Sequence, residues 1–524
     1  MVLDSAVDIV DGADSFDYVV VGAGTAGCVI ASRLSEDPSL RVALLEAGPA
    51  DGPDAMKDPA GFPALLGSEV DWAFTTTPQA ALRDARIFYP RGRVLGGSSS
   101  INGSAHLRAH AASYDEWREA GATGWGYDDL LPYFQRSEHA EGRDPRYRGV
   151  SGPMRVGLPP EVAPFEAAAH EAVRQLGHPV AGDLNGADQE GVGWVELNVV
   201  DGQRQSAADA YIRPVTATRP NLTVLTGVLV RRLVLDGRRC TGVVYGQEGQ
   251  QRQVRATREV VLCAGAIGSP QLLMLSGIGP ADQLRRHDID VTVDLPAVGR
   301  NLQDHPAAMV VYTATRPTAY EIPNPRRLVA MLKTQPGLVA PDVQLLFWNF
   351  AFVPPAVAAP DPGFTIGACV MRPRSRGSVS LASCDPEAAP LIDPGFLTDP
   401  ADVRQLVTGL RLARSAAGTS ALAGWQDKEF LPGADIETED QLGDYARDNL
   451  FSAYHPAGTC RIGTGPDAVV DPALRVRGIE GLRVADASVM PTLVAANPNA
   501  TVLAIAERAA ELIAGTSATT ASRV

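Results

Sequence analysis

Blocks of apolar and polar positions mark out the elements of this chain. Residues 16–21 form an apolar, β-rich run that feeds into Gly22-Ala23-Gly24-Thr25-Ala26-Gly27. Residues 28–34, apolar at Val29, Ile30 and Leu34, predict a helix, and 41–45 predict a second strand ending on Glu46. Proline, glycine and aspartate dominate 47–71, which predicts loop, whereas 114–134 reads as one helix-like stretch. Strands are expected at 222–226 and 228–235, then a hairpin turn at Asp236-Gly237 and a strand at 241–245. Residues 259–266 read as a strand entering a glycine turn, which opens a helix over 269–276 with proline in its first turn. The stretch 313–341 holds several prolines and little periodicity and is expected to be a lid or linker. Over 342–350 alternation puts Val343, Leu345 and Phe347 on one face and Gln344, Leu346 and Trp348 on the other. Helices over 400–417 and 500–514 and a strand at 482–486 complete the reading.

The first of these blocks carries chemistry. Strand, G-x-G-x-x-G turn, helix, strand and terminal acid form the layout of a dinucleotide site. Gly22 permits the tight turn, Gly24 admits a pyrophosphate to the helix N-terminus, and Gly27 lets helix and strand pack closely. Glu46, 19 residues after Gly27, can accept from both ribose hydroxyls. Further on, Arg93-Val94-Leu95-Gly96-Gly97-Ser98-Ser99-Ser100-Ile101-Asn102-Gly103 is small enough to let backbone approach a flat or charged ligand.

Composition narrows the partners. A chain of 524 residues exceeds one simple core and suggests about two to four domains. A net charge of −15, spread along the chain, disfavours nucleic acid and anionic membrane surfaces. Six cysteines without a C-x-x-C pair suggest reduced, mostly buried thiols, with no metal site. Residues 1–15 carry four aspartates and no basic residue, unlike a signal peptide, and no apolar run reaches membrane-spanning length. The expectation is a cytoplasmic protein with no membrane span.

In this order the blocks resemble the glucose–methanol–choline (GMC) oxidoreductases, which bind FAD. The resemblance runs from residue 16 to about 513 and includes Gly265-Ala266-Ile267-Gly268-Ser269-Pro270, Val298-Gly299-Arg300-Asn301-Leu302-Gln303-Asp304-His305-Pro306, His455-Pro456-Ala457-Gly458-Thr459-Cys460 and Ala485-Asp486-Ala487-Ser488. It is nearest in character to the choline-dehydrogenase-like branch of alcohol oxidases and dehydrogenases. It implies an α/β, p-hydroxybenzoate-hydroxylase-like fold. A discontinuous Rossmann-like FAD-binding domain would take 13–159, 216–312 and 451–518. A discontinuous α+β substrate domain with an antiparallel sheet would take 160–215 and 313–450.

The implied activity is oxidation of a small-molecule alcohol to an aldehyde or ketone, by hydride transfer to flavin N5. Reoxidation would be by O2 or another acceptor. A hydroxynitrile lyase of the same fold is the alternative. An NAD-dependent dehydrogenase is disfavoured by the later blocks, and a non-catalytic flavin module by the pair His455 and Asn499 that the resemblance implies. The particular alcohol and the oligomeric state are left open.

A histidine of near-neutral pKa suits removal of an alcohol proton. His455 precedes Pro456, which biases it toward extended backbone. Read alone it would more often be structural; the resemblance makes it the catalytic base. Asn499, 44 residues later, fits the family's second polar position, with Asn497 as the fallback. Asn497 and Pro498 also suit the N-cap and first turn of the last helix, whose positive end would face the flavin. The resemblance assigns cofactor contacts to Gly22, Gly24, Thr25, Ala26, Gly27, Glu46, Ala47, Arg93, Gly96, Gly97, Ser98, Asn102, Gly103, Val228, Ala264, Gly265, Asp486, Ala487, Asn497, Pro498 and Thr501. Where some relatives link FAD covalently through a histidine, this chain has Ile101, which implies non-covalent FAD. Phe347 and Trp348 are candidate substrate contacts, although aromatic strands are more often core.

Overall fold

The computed structural model describes residues 15–247, 249–319, 326–354 and 356–521, with side chains through 515. Its first sheet has seven strands. The run of buried β-formers at Ser15–Val21 becomes a central strand, flanked in parallel by Val42–Leu45 and by the C-terminal half of Gln250–Leu262. Leu222–Leu225 extends the parallel set on one side. On the other, Gln250–Leu262 splits its partners. Arg239–Gln247 pairs antiparallel with its first half, and Leu482–Val484 pairs parallel with its last residues. The hairpin expected at Asp236-Gly237 joins Leu229–Asp236 to Arg239–Gln247.

The second sheet has eight strands, in the order Gln426–Leu431, Pro306–Ala314, Gly363–Val370, Val343–Trp348, Arg327–Leu332, Gly191–Leu197 and Ala105–His106, with Phe451–Ser452 added beside Pro306–Ala314. Its pairings are antiparallel. Val343, Leu345 and Phe347 face a core built with the helix Pro400–Ala417, as alternation requires. Leu346 and Trp348 face the opposite way. The fold is thus the mixed α/β architecture expected, with an antiparallel second sheet.

Several local expectations are corrected. Residues 114–134 are not one helix: Ala111–Glu119 and Tyr127–Ser137 are separated by left-handed Gly121 and Gly124. The stretch 313–341 contains strand Arg327–Leu332 of the second sheet rather than a lid; its residues 320–325 lie outside those described. Apolar, fully buried side chains outweighed the prolines there. Pro306–Ala314 and Phe451–Ser452 also belong to the second sheet, although both begin inside segments expected to bind FAD.

The helix Gly265–Leu275 starts earlier than expected and holds Pro270 in its interior. Proline removes the bond to the carbonyl four residues back. That carbonyl, Ala266 O, instead accepts from Thr459 Oγ1 at 2.7 Å. A helix-breaking residue thereby fastens two distant motifs together. Among the described residues no helix is long and apolar enough to cross a membrane.

Candidate active site

One cavity of about 1040 Å³ is bounded by both sheets. At one end the glycine turn is held in shape by its neighbours. Gly22 has φ +95°, and a Cβ there would lie 2.6 Å from the Cys263 carbonyl oxygen, so only glycine lets the two glycine turns pack together. Gly24 lines the cavity, and a Cβ there would meet nothing within 4 Å. The helices Thr25–Leu34 and Asn499–Ala521 both begin on this wall without an acidic residue in the first turn, leaving two positive ends for an anion.

Glu46 completes this half. Its Oε2 accepts from Ala23 N and its Oε1 from Gly48 N, each at 2.9 Å. Burial pushes the carboxyl up to about 7 in spite of these two bonds. Each oxygen keeps a further lone pair for a hydroxyl. An open glycine cradle, two helix N-termini and a carboxylate with spare acceptor capacity fit the pyrophosphate and ribose of FAD.

The other end is built around His455. Asp304, buried, accepts from both His305 N and His455 N through Oδ1 at 2.8 Å, and from Ser452 Oγ through Oδ2. Gln303 and Ala457 exchange backbone hydrogen bonds at 3.0 Å. Gly458, at φ +94°, has no room for a Cβ, which would lie 2.6 Å from Asn301 O. Tyr454 takes the left-handed conformation, φ +64°, rare for a bulky side chain and held by Ser452 Oγ on its N–H and the Arg91 guanidinium on its carbonyl. These contacts present the His455 ring to the cavity. Its Nδ1 lies 2.9 Å from His305 Nδ1, and its Nε2 lies 3.3 Å from Asn497 Nδ2. Burial first, then the neighbouring His305 and Arg91, hold His455 well below the usual histidine range. The ring is therefore neutral at pH 7, with a lone pair to offer.

Of the residues assigned to the cofactor, Gly22, Gly24, Thr25, Ala26, Glu46, Ala47, Arg93, Gly97, Ser98, Asn102, Gly103, Val228, Ala264, Gly265, Asp486, Ala487, Asn497 and Pro498 line this cavity. Three lie off its wall. Gly27 packs its helix onto the turn, where a Cβ would be 1.9 Å from Gly22 O; Gly96 is buried against Ser100; and the Thr501 hydroxyl pairs with Tyr114 OH at 2.8 Å in the core. Asp486 accepts from Gly265 N and Ser269 Oγ, bracing the second glycine turn.

The expected pairing of His455 with Asn499 is corrected. The helix begins at Asn499, and Asn499 Oδ1 accepts from Thr25 Oγ1 at 2.8 Å, while Asn497, just before the helix, faces the imidazole. Trp348 stands on the cavity wall, stacked on Phe352 at 5.5 Å, and Phe352 meets Phe451, which meets Tyr454. Phe347 also reaches the wall but packs mainly in the second core. Sequence reasoning missed Arg91, Asp304, His305, Phe352 and Phe451. The Asp304-His305-Pro306 run stood in a block given no role, and only the pairing of distant strands brings it to His455.

Comparison with known proteins bears on the whole chain. Models of the GMC oxidoreductase family match residues 16–307 and 373–506. The mitochondrial choline dehydrogenase of Homo sapiens is 40% identical over 96% of this chain and 90% of its own length. An alcohol dehydrogenase [acceptor] of Pseudomonas putida is 38% identical over 95% of each. The crystal structure of pyridoxine 4-oxidase from Mesorbium loti superposes with a TM-score of 0.91 and 36% identity, over 95% of this chain and 98% of that one. All three are oxidoreductases and lend no support to a lyase. One is mitochondrial by name, so these relatives do not carry the cytoplasmic expectation.

Proposed function

The chain belongs to the GMC oxidoreductases and is an FAD-dependent alcohol oxidoreductase, and we propose that His455 is its base and Asn497 its donor to the substrate oxygen. The observation that carries this reading is the pair His455 Nε2 and Asn497 Nδ2, 3.3 Å apart on the cavity wall. A hydroxyl that approaches the pair from the cavity, within reach of both, gives its proton to the imidazole and accepts from the amide. Bound FAD supplies the acceptor for the hydride leaving the carbinol carbon. As the O–H bond breaks, Asn497 and the nearby Arg91 charge stabilise the oxygen. Tyr454 and Asp304 keep the imidazole in place through its backbone.

The substrate's body would lie against Trp348, Phe352, Phe451 and Tyr454. Three carboxylates on the wall are engaged elsewhere, Glu46 and Asp486 with the glycine turns and Glu387 with Arg231, while Glu166, at the start of helix Pro164–Gln175, leaves its buried Oε2 unpaired and is pushed up to about 7 by burial. The aromatic faces beside His455, with the one unpaired wall carboxyl raised toward neutrality by burial, favour a neutral alcohol with an apolar or aromatic body over a quaternary ammonium alcohol. Anaerobic mixing of the holoenzyme with benzyl alcohol, a linear primary alcohol and choline, followed by flavin absorbance, tests both statements. Bleaching is expected, fastest with the aromatic alcohol. A flavin that no alcohol reduces overturns the activity assigned to this site, and preference for choline overturns the substrate class.

A further inference from the structure

The geometry points to His305 as a positioning residue that keeps the His455 proton on Nδ1 and so leaves Nε2 bare as the base; this rests on the reading of His455 given above. The two Nδ1 atoms are 2.9 Å apart, with the rings near perpendicular at 88°. Two lone pairs or two N–H groups cannot face each other at that distance, so one proton lies between the rings. Which ring owns it follows from the far side of His455. His455 Nε2 lies 3.3 Å from Asn497 Nδ2, an amide nitrogen that donates and does not accept. His455 Nε2 is therefore the bare nitrogen, and the fully buried His305 offers its Nδ1 lone pair. The shared proton therefore belongs to His455 Nδ1.

The consequence is functional. A neutral imidazole has one bare nitrogen, and a hydrogen bond on the other decides which. With Nδ1–H held by His305, His455 Nε2 is the lone pair aimed at Asn497 and the cavity. When Nε2 takes the alcohol proton, Nδ1–H already has its acceptor, and no rearrangement is needed. Burial pushes His305 down to about 3, so it stays neutral and does not compete for that proton. Among the described residues no carboxylate pairs with either ring: Asp304 holds the two backbone N–H groups, and the Arg91 charge acts on His455 from a distance. The acceptor behind this base is thus a neutral ring.

Two substitutions separate positioning from packing. His305→Asn keeps an acceptor where Nδ1 was, while His305→Leu fills the space without one. In stopped-flow anaerobic reduction, with FAD content and melting temperature matched, His305→Leu should be slower on the order of 10²-fold and His305→Asn within about tenfold of the parent. Ring-¹⁵N-labelled histidine in the holoenzyme, with His455 assigned by its loss in His455→Ala, should show Nδ1 protonated and Nε2 bare. In His305→Leu the Nε2-protonated form should appear. A parent spectrum with the proton on Nε2 overturns the proposal even if the leucine variant does not fold. So does a leucine variant as fast as the parent. If His455→Ala alone reduces normally, the base assignment fails, while the spectrum still decides the tautomer.

Discussion

The Thr25 hydroxyl donates to Asn499 Oδ1 at 2.8 Å, across 474 residues of chain. This bond joins the N-termini of the first and last helices and commits the Asn499 amide oxygen to Thr25. Asn497→Ala should therefore slow flavin reduction on the order of 10²-fold, since a donor to the developing oxyanion is lost. Asn499→Ala should cost less than tenfold in that rate but loosen FAD, because it frees the helix end beside Thr25. Stopped-flow reduction and FAD retention on dialysis, measured on both variants, check the split. Equal rate losses would mean that Asn499 also reaches the substrate.

His455→Ala should slow reduction by about 10²–10⁴-fold while FAD stays bound. The pH profile follows from burial and from the His305 and Arg91 neighbours, which all lower this pKa. The active form is the free base, present above the lowered pKa. The reduction rate should stay level as pH falls through 6.5 and decline only at more acidic pH. A midpoint near 6.5 would place the ring in water.

Glu46 gives a second pH signature, of the same sign although its pKa shift is opposite in direction. Its carboxyl is raised to about 7 by burial, so near neutrality it is partly protonated in the FAD-free protein. The carboxylate is the better acceptor for ribose hydroxyls. FAD affinity should increase as pH rises through about 7 and level off above it. Glu46→Gln should bind more weakly and lose that dependence. Titration of apoprotein with FAD from pH 6 to 8.5 measures both.

Acid stability provides a test independent of turnover. His305 folds with its pKa lowered to about 3, and His455 is also lowered. Below 6.5 the unfolded histidines bind protons that the folded ones refuse, so folded stability falls as pH drops from 6.5 toward 3. For His305 this amounts to roughly 4 kcal/mol at the acid end. Buried carboxyls with raised pKa act in the other direction. The comparison with His305→Asn isolates the ring: that variant should lose less stability over the same range in urea unfolding.

Ile101 is buried with Leu65, Val70 and Val94 and also lines the cavity. An aliphatic side chain offers no atom for a covalent bond to flavin. Acid precipitation should leave the yellow colour in the supernatant. Flavin retained on the precipitated peptide would locate a link elsewhere.

Much of the cofactor half was legible in the sequence because it is local. Strand 16–21, the glycine turn and Glu46 lie within one stretch, and each residue type has a single physical reason to be there. The catalytic half was less so. Asn497 and Asn499 are two residues apart, and only the exact start of the last helix decides which amide faces His455. Nothing in the composition of 298–306 indicates that Asp304 bonds the His455 backbone, because that contact depends on Phe451–Ser452 joining the edge of Pro306–Ala314. The strand Arg327–Leu332 was obscured by the prolines around it, although its own side chains are apolar and mostly buried. Local turn chemistry is written in neighbouring residues; strand pairing is written in partners hundreds of positions away.

The bond between Thr25 and Asn499 has a bearing on biosynthesis. A ribosome adds roughly 5–20 residues per second, so the first helix waits about 25–95 s for the asparagine that completes its end. The strand Ser15–Val21 waits likewise for Gln250–Leu262 before it has a partner on its second side. The cavity that fits FAD cannot close before residues 497–502 have been made. Cofactor capture in a finished pocket thus waits for residue 499, and a chain truncated before it keeps its dinucleotide fingerprint intact with no finished pocket to use it.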